Sequence, residues 1–253
     1  MVRNTPLEKV RAGQPTFGVA VSLGNTIAAE MLARSGVDWI WIDEQHGAWD
    51  RERMYEAIQV VGLAGCAPIV RAGSNEFFRI GRALDAGALG VIVPMVNSAE
   101  EAEAAVHAAK YPPRGGRSSG GARLRFLGDD YKQAANGNTL VALMIETVAS
   151  VEAVPEIAAV DGVDCLFIGP GDLSVSMGVE PGCDEHEAMV QRVLRESNEA
   201  GTPVGMPCGS PEDAKMRAEQ GFTLIHGGSE YGMILAGIEH VQEVLGIAPG
   251  GDR

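Results

Sequence analysis

The sequence has few cysteines and few basic residues. Four cysteines are spread over 253 residues, and no two of them form a C-x-x-C pair. This usage predicts reduced, mostly buried thiols in a cytoplasmic protein. The formal net charge is −14, and a surface this acidic repels nucleic-acid phosphates and anionic lipid headgroups. We therefore expect neither a nucleic acid nor a membrane among the partners.

Long hydrophobic runs are also missing. No apolar run approaches the roughly 20 residues that a transmembrane helix needs. The segment from Met1 to Gln14 is polar, contains Pro6 and lacks an apolar stretch. A signal peptide is therefore not expected.

Short apolar runs, in contrast, recur along the chain. They are rich in Val, Ile and Leu and do not alternate with polar residues, which is typical of strands buried on both faces. The eight runs are Phe17–Leu23, Trp39–Ile42, Ala67–Val70, Gly90–Pro94, Val141–Ile145, Cys165–Ile168, Pro203–Met206 and Leu224–His226.

Amphipathic segments with apolar residues every three to four positions separate these runs. The predicted helices are Thr26–Ser35, Arg51–Leu63, Glu76–Asp85, Ala99–Ala109, Val148–Ala159, Glu185–Ala200 and Pro211–Gln220. Eight strand–helix units in about 250 residues predict a closed (β/α)8 TIM barrel, a single α/β domain over residues 1–253. The alternation of strands and helices is interrupted at Tyr111–Asn138, where we expect a long functional loop and a short helix.

Two weaker signals accompany this pattern. The Gly-rich stretch Pro112–Gly121 is not a nucleotide-binding fingerprint, because it does not follow a strand and open a helix. We expect it to bind an anion or to close over the active site. His226 lies in the eighth run, where a satisfied core histidine is the expected role.

Polar residues follow several of the predicted strands. Asp43 and His46 come after the second run, Arg71 after the third, Glu146 after the fifth and Asp172 after the sixth. Active sites of (β/α)8 barrels lie at the carboxyl ends of the strands. These five side chains are therefore expected to converge at the carboxyl ends of the strands, the end of the barrel called the mouth below.

Glu146 and Asp172 would make a plausible site for a hard cation such as Mg2+ or Mn2+, which few protein oxygens bind. The alternative is that each carboxylate caps a helix or pairs with an arginine. Asp172 precedes Leu-Ser and can start a helix. Glu146 ends a buried run, so its charge must be paired or metal-bound.

His46 and Arg71 have simpler alternatives too. A lone histidine is more often structural, but Asp43 lies three residues earlier and can orient the His46 ring. Arg71 offers planar donors for a carboxylate or an enolate. Its alternative is an ion pair with Glu146 or Asp172.

The chain resembles the HpcH/HpaI aldolase family, the metal-dependent (class II) pyruvate aldolases, from about Gly18 to Gly237. The resemblance rests on several stretches taken together. They are Asp38–Gly47, Pro68–Arg71, Arg82–Met95, Tyr111–Gly115, Ile145–Glu146 and Gly162–Ser174.

The resemblance implies a role for each mouth residue. Glu146 and Asp172 would hold the divalent metal (Mg2+, Mn2+ or Co2+). Arg71 would lie against the pyruvate oxygens, and His46, oriented by Asp43, would be the acid/base. The substrate would be a 4-hydroxy-2-oxo acid, cleaved to pyruvate and an aldehyde.

The resemblance also implies contributions from other segments. The backbone around Gly171 would receive the pyruvate carboxylate, and Arg117 would contact substrate. Asp85 would support the site from the neighbouring subunit or from behind it. A homo-oligomer, trimer or hexamer, would form through exchange of the helix Tyr231–Leu245.

Two departures from the family pattern bear on the acceptor specificity. Met144 stands where many relatives have Gln, and Arg117-Ser118-Ser119-Gly120 replaces Arg-Gly-Val-Gly.

Two alternative functions stay open. One is a lyase acting on a CoA ester or handling phosphoenolpyruvate, against which the stretch Asp43–Gly47 argues. The other is a non-catalytic barrel that binds a small anion. A Schiff-base mechanism is disfavoured, because no predicted strand end carries a lysine.

Overall fold

The structure, a computed structural model, describes residues 2–248. Its centre is a closed barrel of eight parallel strands in the order β1 to β8, with β8 paired to β1. The strands are β1 Thr16–Val21, β2 Trp39–Asp43, β3 Ala67–Arg71, β4 Gly90–Val93, β5 Leu140–Ile145, β6 Cys165–Ile168, β7 Val204–Pro207 and β8 Leu224–Ser229. The predicted (β/α)8 barrel and its eight strands are confirmed.

Helices surround the barrel on the outside, except for the first, which packs against its interior cluster. They are α1 Thr5–Arg11, α2 Thr26–Ala33, α3 Arg51–Leu63, α4 Phe77–Asp85, α5 Ala99–Ala109, α6 Tyr131–Asn138, α7 Val148–Glu152, α8 Val154–Ala158, α9 Pro170–Met177, α10 Asp184–Glu199, α11 Pro211–Glu219 and α12 Glu230–Leu245, with a 3₁₀ helix at Ala122–Phe126. No helix within residues 2–248 is long and apolar enough to cross a membrane.

One predicted helix is divided in the structure. The segment Val148–Ala159 forms α7 and α8, which meet at Ala153. Pro155 is the cause, because proline has no N–H to donate to the carbonyl four residues earlier and its ring crowds that turn.

The barrel interior is filled by large aromatic side chains set against glycines. A Cβ atom on Gly18 would lie 2.3 Å from the Trp39 ring, and one on Gly205 would lie 2.9 Å from the Phe167 ring. Leu7 and the neighbouring turn of α1 belong to the same interior cluster. The aromatic residues and α1 thus fill the barrel and leave its polar residues at the carboxyl ends of the strands.

Helix α12 differs from the other long helices in its packing. Of its 16 residues only Glu230 is buried. Apolar side chains are exposed along its length: Tyr231, Met233, Ile234, Leu235, Ile238, Val241, Val244 and Leu245.

Candidate active site

Asp43 and Arg71 form the central ion pair of the barrel mouth. They are opposite each other in the pairing of β2 with β3. Arg71 Nε donates to Asp43 Oδ1 at 2.8 Å and Nη2 donates to Oδ2 at 2.5 Å. The guanidinium also lies over the ring of Trp41, 4.8 Å from its centroid. Both charged residues are buried, so the plane of the guanidinium is fixed before any ligand binds.

The third nitrogen of Arg71, Nη1, has no hydrogen-bond partner among residues 2–248. The pairing of Arg71 with Asp43 differs from the expected alternative of an ion pair with Glu146 or Asp172. Register explains the difference, because Asp43 is the direct neighbour of Arg71 across two adjacent strands.

His46 lies on the loop after β2 and is exposed at the mouth. Asp43 Oδ1 accepts the backbone N–H of His46 at 3.2 Å and that of Gln45 at 3.1 Å. The expectation that Asp43 orients the His46 ring is not met in this structure. Arg71 and these backbone groups occupy the Asp43 carboxylate, which therefore holds the loop rather than the ring.

Glu146 follows β5 and is 1% exposed. Its Oε1 atom accepts the backbone N–H of Met95 at 2.6 Å. Its Oε2 atom is buried and has no hydrogen-bond partner among the described residues. Gly169 makes room for this oxygen, since a Cβ there would lie 2.5 Å from Oε2.

The pKa of Glu146 is raised above its ordinary value. Burial is the main cause, and the nearby carboxylate of Asp172 adds to it, whereas the Met95 N–H and Arg71 act in the opposite direction. Two neighbouring carboxylates, one of them buried with a free oxygen, carry negative charge that a cation would offset. Glu146 and Asp172 therefore fit a hard divalent cation, which keeps further positions for water and substrate.

This candidate cation site contains few protein ligands. Within residues 2–248 no group of three or more His, Cys, Asp or Glu side chains has the geometry of a metal cluster. Asp172 is exposed in the first turn of α9, as the expectation of a helix start allowed. Gly171 precedes it, and nothing lies within 4 Å of the position that a Cβ on Gly171 would take. The first N–H groups of a helix have no partner within it, so this end of α9 can accept an anion.

Asp85 and Arg117 lie together, but not at the mouth of their own barrel. Arg117 Nη2 donates to Asp85 Oδ1 at 2.7 Å, and Nη1 donates to the hydroxyl of Tyr131 at 3.1 Å. Asp85 ends α4, which runs from the mouth toward the amino ends of the strands.

The loop with Arg117 connects α5 to β5 at that same amino end. The expectation that this loop closes over the mouth is therefore wrong for its own chain. In a (β/α)8 barrel, connections from a helix to the next strand lie on the face opposite the active site.

His226 and Trp41 are the interior residues whose role the sequence did not indicate. Both ring nitrogens of His226 are buried without a partner among the described residues, and so is Trp41 Nε1. The two rings meet edge to face, 5.2 Å apart. The expectation of a satisfied core histidine is therefore wrong. Burial lowers the pKa of His226 to about 4, and the nearby Arg71 contributes.

The period of two along β2 could have identified Trp41 as a neighbour of the site. Trp39, Trp41 and Asp43 point to one face because side chains alternate along a strand. No comparable signal marks Met95, whose contribution to the site is a backbone N–H.

Comparison with known proteins relates this arrangement to one family. The family model described as HpcH/HpaI aldolase/citrate lyase matches residues 17–236. A 4-hydroxy-2-oxo-heptane-1,7-dioate aldolase of Klebsiella pneumoniae subsp. pneumoniae is 34% identical and aligns with 94% of this chain and 92% of its own. A 2-dehydro-3,6-dideoxy-6-sulfogluconate aldolase of Pseudomonas putida is 37% identical, with coverage of 87% and 88%.

A solved structure shares the fold over nearly its whole length. It is an HpcH/HpaI aldolase/citrate lyase family protein from Burkholderia cenocepacia, 33% identical, with a TM-score of 0.88. The match covers 95% of this chain and 99% of that one.

Proposed function

The chain belongs to the HpcH/HpaI aldolase/citrate lyase family, and from this premise we propose that its barrel mouth cleaves 4-hydroxy-2-oxo acids to pyruvate and an aldehyde. The curated relatives are aldolases and align with most of the chain, so the protein is an aldolase, a carbon–carbon lyase. The reverse reaction is aldol addition to pyruvate.

A divalent cation, Mg2+, Mn2+ or Co2+, is part of this proposal. Glu146 and Asp172 would hold it. The observation that carries the proposal is the free, buried Oε2 of Glu146 next to Asp172, on the same mouth as Arg71. When bound, the cation supplies Lewis acidity that stabilises negative charge at the 2-oxo group of the substrate.

Arg71 would stabilise the charge that develops during cleavage. Asp43 uses two of its nitrogens, and Nη1 is left to donate to the 2-oxo oxygen. A fixed donor at a developing oxyanion is worth a few kcal/mol, about 100-fold in rate or more. Contacts with Asp43 and Trp41 orient the guanidinium before the substrate binds.

His46 would be the acid/base. In cleavage its ring takes the proton of the C4 hydroxyl, the C4 carbonyl forms, and the C3–C4 bond breaks. The electron pair of that bond passes into the enolate of pyruvate. A proton then returns to C3, and pyruvate and the aldehyde leave. The exposed position of His46 at the rim supports this role, because the aldehyde end of the substrate must face solvent to depart.

The remaining contacts of the proposal come from α9 and from a second chain. The N–H groups around Gly171 would receive the substrate carboxylate, aided by the helix end. Asp85 and Arg117 face away from their own mouth, so any contribution to substrate binding comes through a neighbouring subunit.

A homo-oligomer, trimer or hexamer, completes the proposal. Helix α12 exposes apolar side chains along its length, and such a surface is rare on a monomer. On α2, Ile27 and Met31 are each 70% exposed. Exchange of α12 between subunits would cover these residues. We also propose a cytoplasmic location, which the four free thiols support.

The test is pyruvate release from a 4-hydroxy-2-oxo acid by EDTA-treated protein, with and without Mg2+, Mn2+ or Co2+. We expect release only with metal and none from Glu146→Gln. Glu199→Gln is the matched control, because Glu199 is an exposed carboxylate at the end of α10. Metal-independent turnover would contradict the proposal, and turnover of acyl-CoA alone would favour a CoA-ester lyase. Metal-independent anion binding without turnover would favour the non-catalytic barrel.

A further inference from the structure

Glu230 is a buried carboxylate that the proposed chemistry does not use. It is the first residue of α12 and is 3% exposed. Its Oε1 atom accepts two backbone N–H groups, from Ser22 at 2.7 Å and from Leu23. Its Oε2 atom has no hydrogen-bond partner among residues 2–248. Burying a carboxylate costs free energy of desolvation, so a buried carboxylate with one unpaired oxygen needs an explanation.

The loop that Glu230 holds is joined to a second loop. The Ser22 carbonyl accepts the N–H of Ala48 at 2.6 Å. The indole of Trp49 donates to the carbonyl of Val21 at 2.9 Å. Two hydrogen bonds therefore connect segment 21–24 to segment 47–49.

The contact between these loops leaves no room for a side chain at Gly47 or at Gly24. A Cβ on Gly47 would lie 2.8 Å from the Trp49 ring and 3.1 Å from the carbonyl oxygen of Ser22. A Cβ on Gly24 would lie 2.4 Å from the carbonyl oxygen of Ala48. We expect a shift of the first loop to move the second, because their backbones are in close contact and the Trp49 side chain is hydrogen-bonded across that contact.

His46 lies directly before this contact, on a turn closed by the Gly47 N–H donating to the Asp43 carbonyl at 3.1 Å. We propose that Glu230 is a positioning residue for His46. Through one oxygen it fixes the loop after β1, and that loop fixes the turn that presents the His46 ring at the mouth. The inference rests on the proposed function, since it takes His46 as the acid/base.

The relevant variants separate hydrogen bonding from bulk. Glu230→Gln keeps a carbonyl oxygen that can accept both N–H groups. Glu230→Met has a similar length and no acceptor. Ser229→Ala is the control for the helix itself, because it removes the α12 cap to Gly232 and leaves both loops untouched.

Two reactions distinguish the His46 turn from the rest of the mouth. Cleavage of a 4-hydroxy-2-oxo acid needs a base for the C4 hydroxyl. Decarboxylation of oxaloacetate gives the same enolate by loss of CO2 and needs no such base. Both reactions are measured for each variant and for His46→Ala, and kcat and KM are determined in each case.

We expect Glu230→Met to lower kcat for cleavage about tenfold or more, since small displacements of a catalytic group have large effects on rate. KM and decarboxylation should change less than about twofold, as in His46→Ala. Glu230→Gln and Ser229→Ala should stay within about threefold of the wild type.

Three outcomes would overturn the inference. Wild-type cleavage by Glu230→Met, with His46→Ala inactive, would refute the role of Glu230 and leave the proposed function intact. Equal loss of both reactions would mean that Glu230 supports the whole mouth. Full cleavage by His46→Ala would remove the proposed acid/base and this inference with it.

A measurement on the wild type covers the case in which Glu230→Met does not fold. The amides of Ser22, Leu23 and Ala48 should exchange with deuterium more slowly than free amides, because each donates a hydrogen bond at the contact between the loops. In Glu230→Gln they should stay slow. Fast exchange of these amides in the folded wild type would overturn the inference.

Discussion

Arg71 and Asp43 are direct neighbours on β3 and β2, and two parallel hydrogen bonds join their side chains. The pair fixes the guanidinium plane and occupies both oxygens of the Asp43 carboxylate. Two charges that are both buried depend on each other, because removal of one partner leaves the other uncompensated. The geometry of the mouth therefore begins with this pair.

Arg71→Lys should lower kcat/KM about 100-fold, because a single ammonium cannot bond both Asp43 oxygens and still donate to the substrate. Steady-state kinetics of 2-oxo acid cleavage checks this. Arg34→Lys is the matched control, since Arg34 forms an exposed pair with Glu30 within α2. Comparable kinetics of Arg71→Lys and Arg34→Lys would show that the two-point geometry is dispensable.

Gly169→Ala should weaken metal binding while the fold is retained. The new Cβ would lie 2.5 Å from Glu146 Oε2 and 2.7 Å from its Cβ, so the carboxylate must move. We expect the metal concentration for half-maximal activity to rise about tenfold or more.

Gly137→Ala is the control for Gly169→Ala, because nothing lies within 4 Å of a Cβ on Gly137. An unchanged metal requirement in Gly169→Ala would argue that Oε2 of Glu146 is not a ligand.

His226 should make the stability of the protein sensitive to acid. Its pKa is about 4 in the folded chain and 6.5 ordinarily. Between these values the unfolded chain binds the extra proton, so stability falls as the pH drops from 6.5 toward 4 and is unaffected by His226 above that range. From pH 7 to 4.5 the wild type should lose on the order of 2 kcal/mol more than His226→Phe.

Urea denaturation at the two pH values measures this difference. Phenylalanine keeps a ring against Trp41 and removes both nitrogens. His107→Gln is the control, because His107 is exposed on α5 and should follow the wild type. Equal acid sensitivity of His226→Phe and the wild type would show that His226 is already protonated or partnered at neutral pH.

The sequence predicted the eight strands and the mouth residues because both follow local rules. Buried parallel strands lack alternation, and polar residues at strand ends converge in a barrel. The partner of Asp43 was not predictable, since it depends on the register of β2 against β3. Arg117 lies at the amino end of the barrel because its loop connects a helix to the next strand. The composition of that loop alone did not indicate this position.

Other features depend on packing that no local pattern specifies. Leu7 belongs to a polar amino-terminal segment, yet α1 joins the interior cluster of the barrel. The hydrogen bond between Glu230 and Ser22 joins residues more than 200 positions apart in the sequence. The division of α7 from α8 was, in contrast, readable from Pro155.

The exposed helix α12 predicts that assembly and activity are linked. Ile234 and Ile238 lie one turn apart on it and are about half exposed. Glutamate at both positions would place charge in any apolar interface, so Ile234→Glu with Ile238→Glu should shift the mass in solution to that of one chain. Light scattering after size exclusion measures this, with Glu239→Gln as the control on the same helix.

The activity of that double variant tests the neighbouring-subunit role of Asp85 and Arg117. These side chains lie at the amino end of their own barrel, so they can reach an active site only across an interface. If they do, the monomeric variant should lose activity about as much as Asp85→Asn does in the assembled protein, roughly tenfold or more. A fully active monomer would confine the site to the mouth of one chain. A wild type that is already a single chain would refute the exchange of α12.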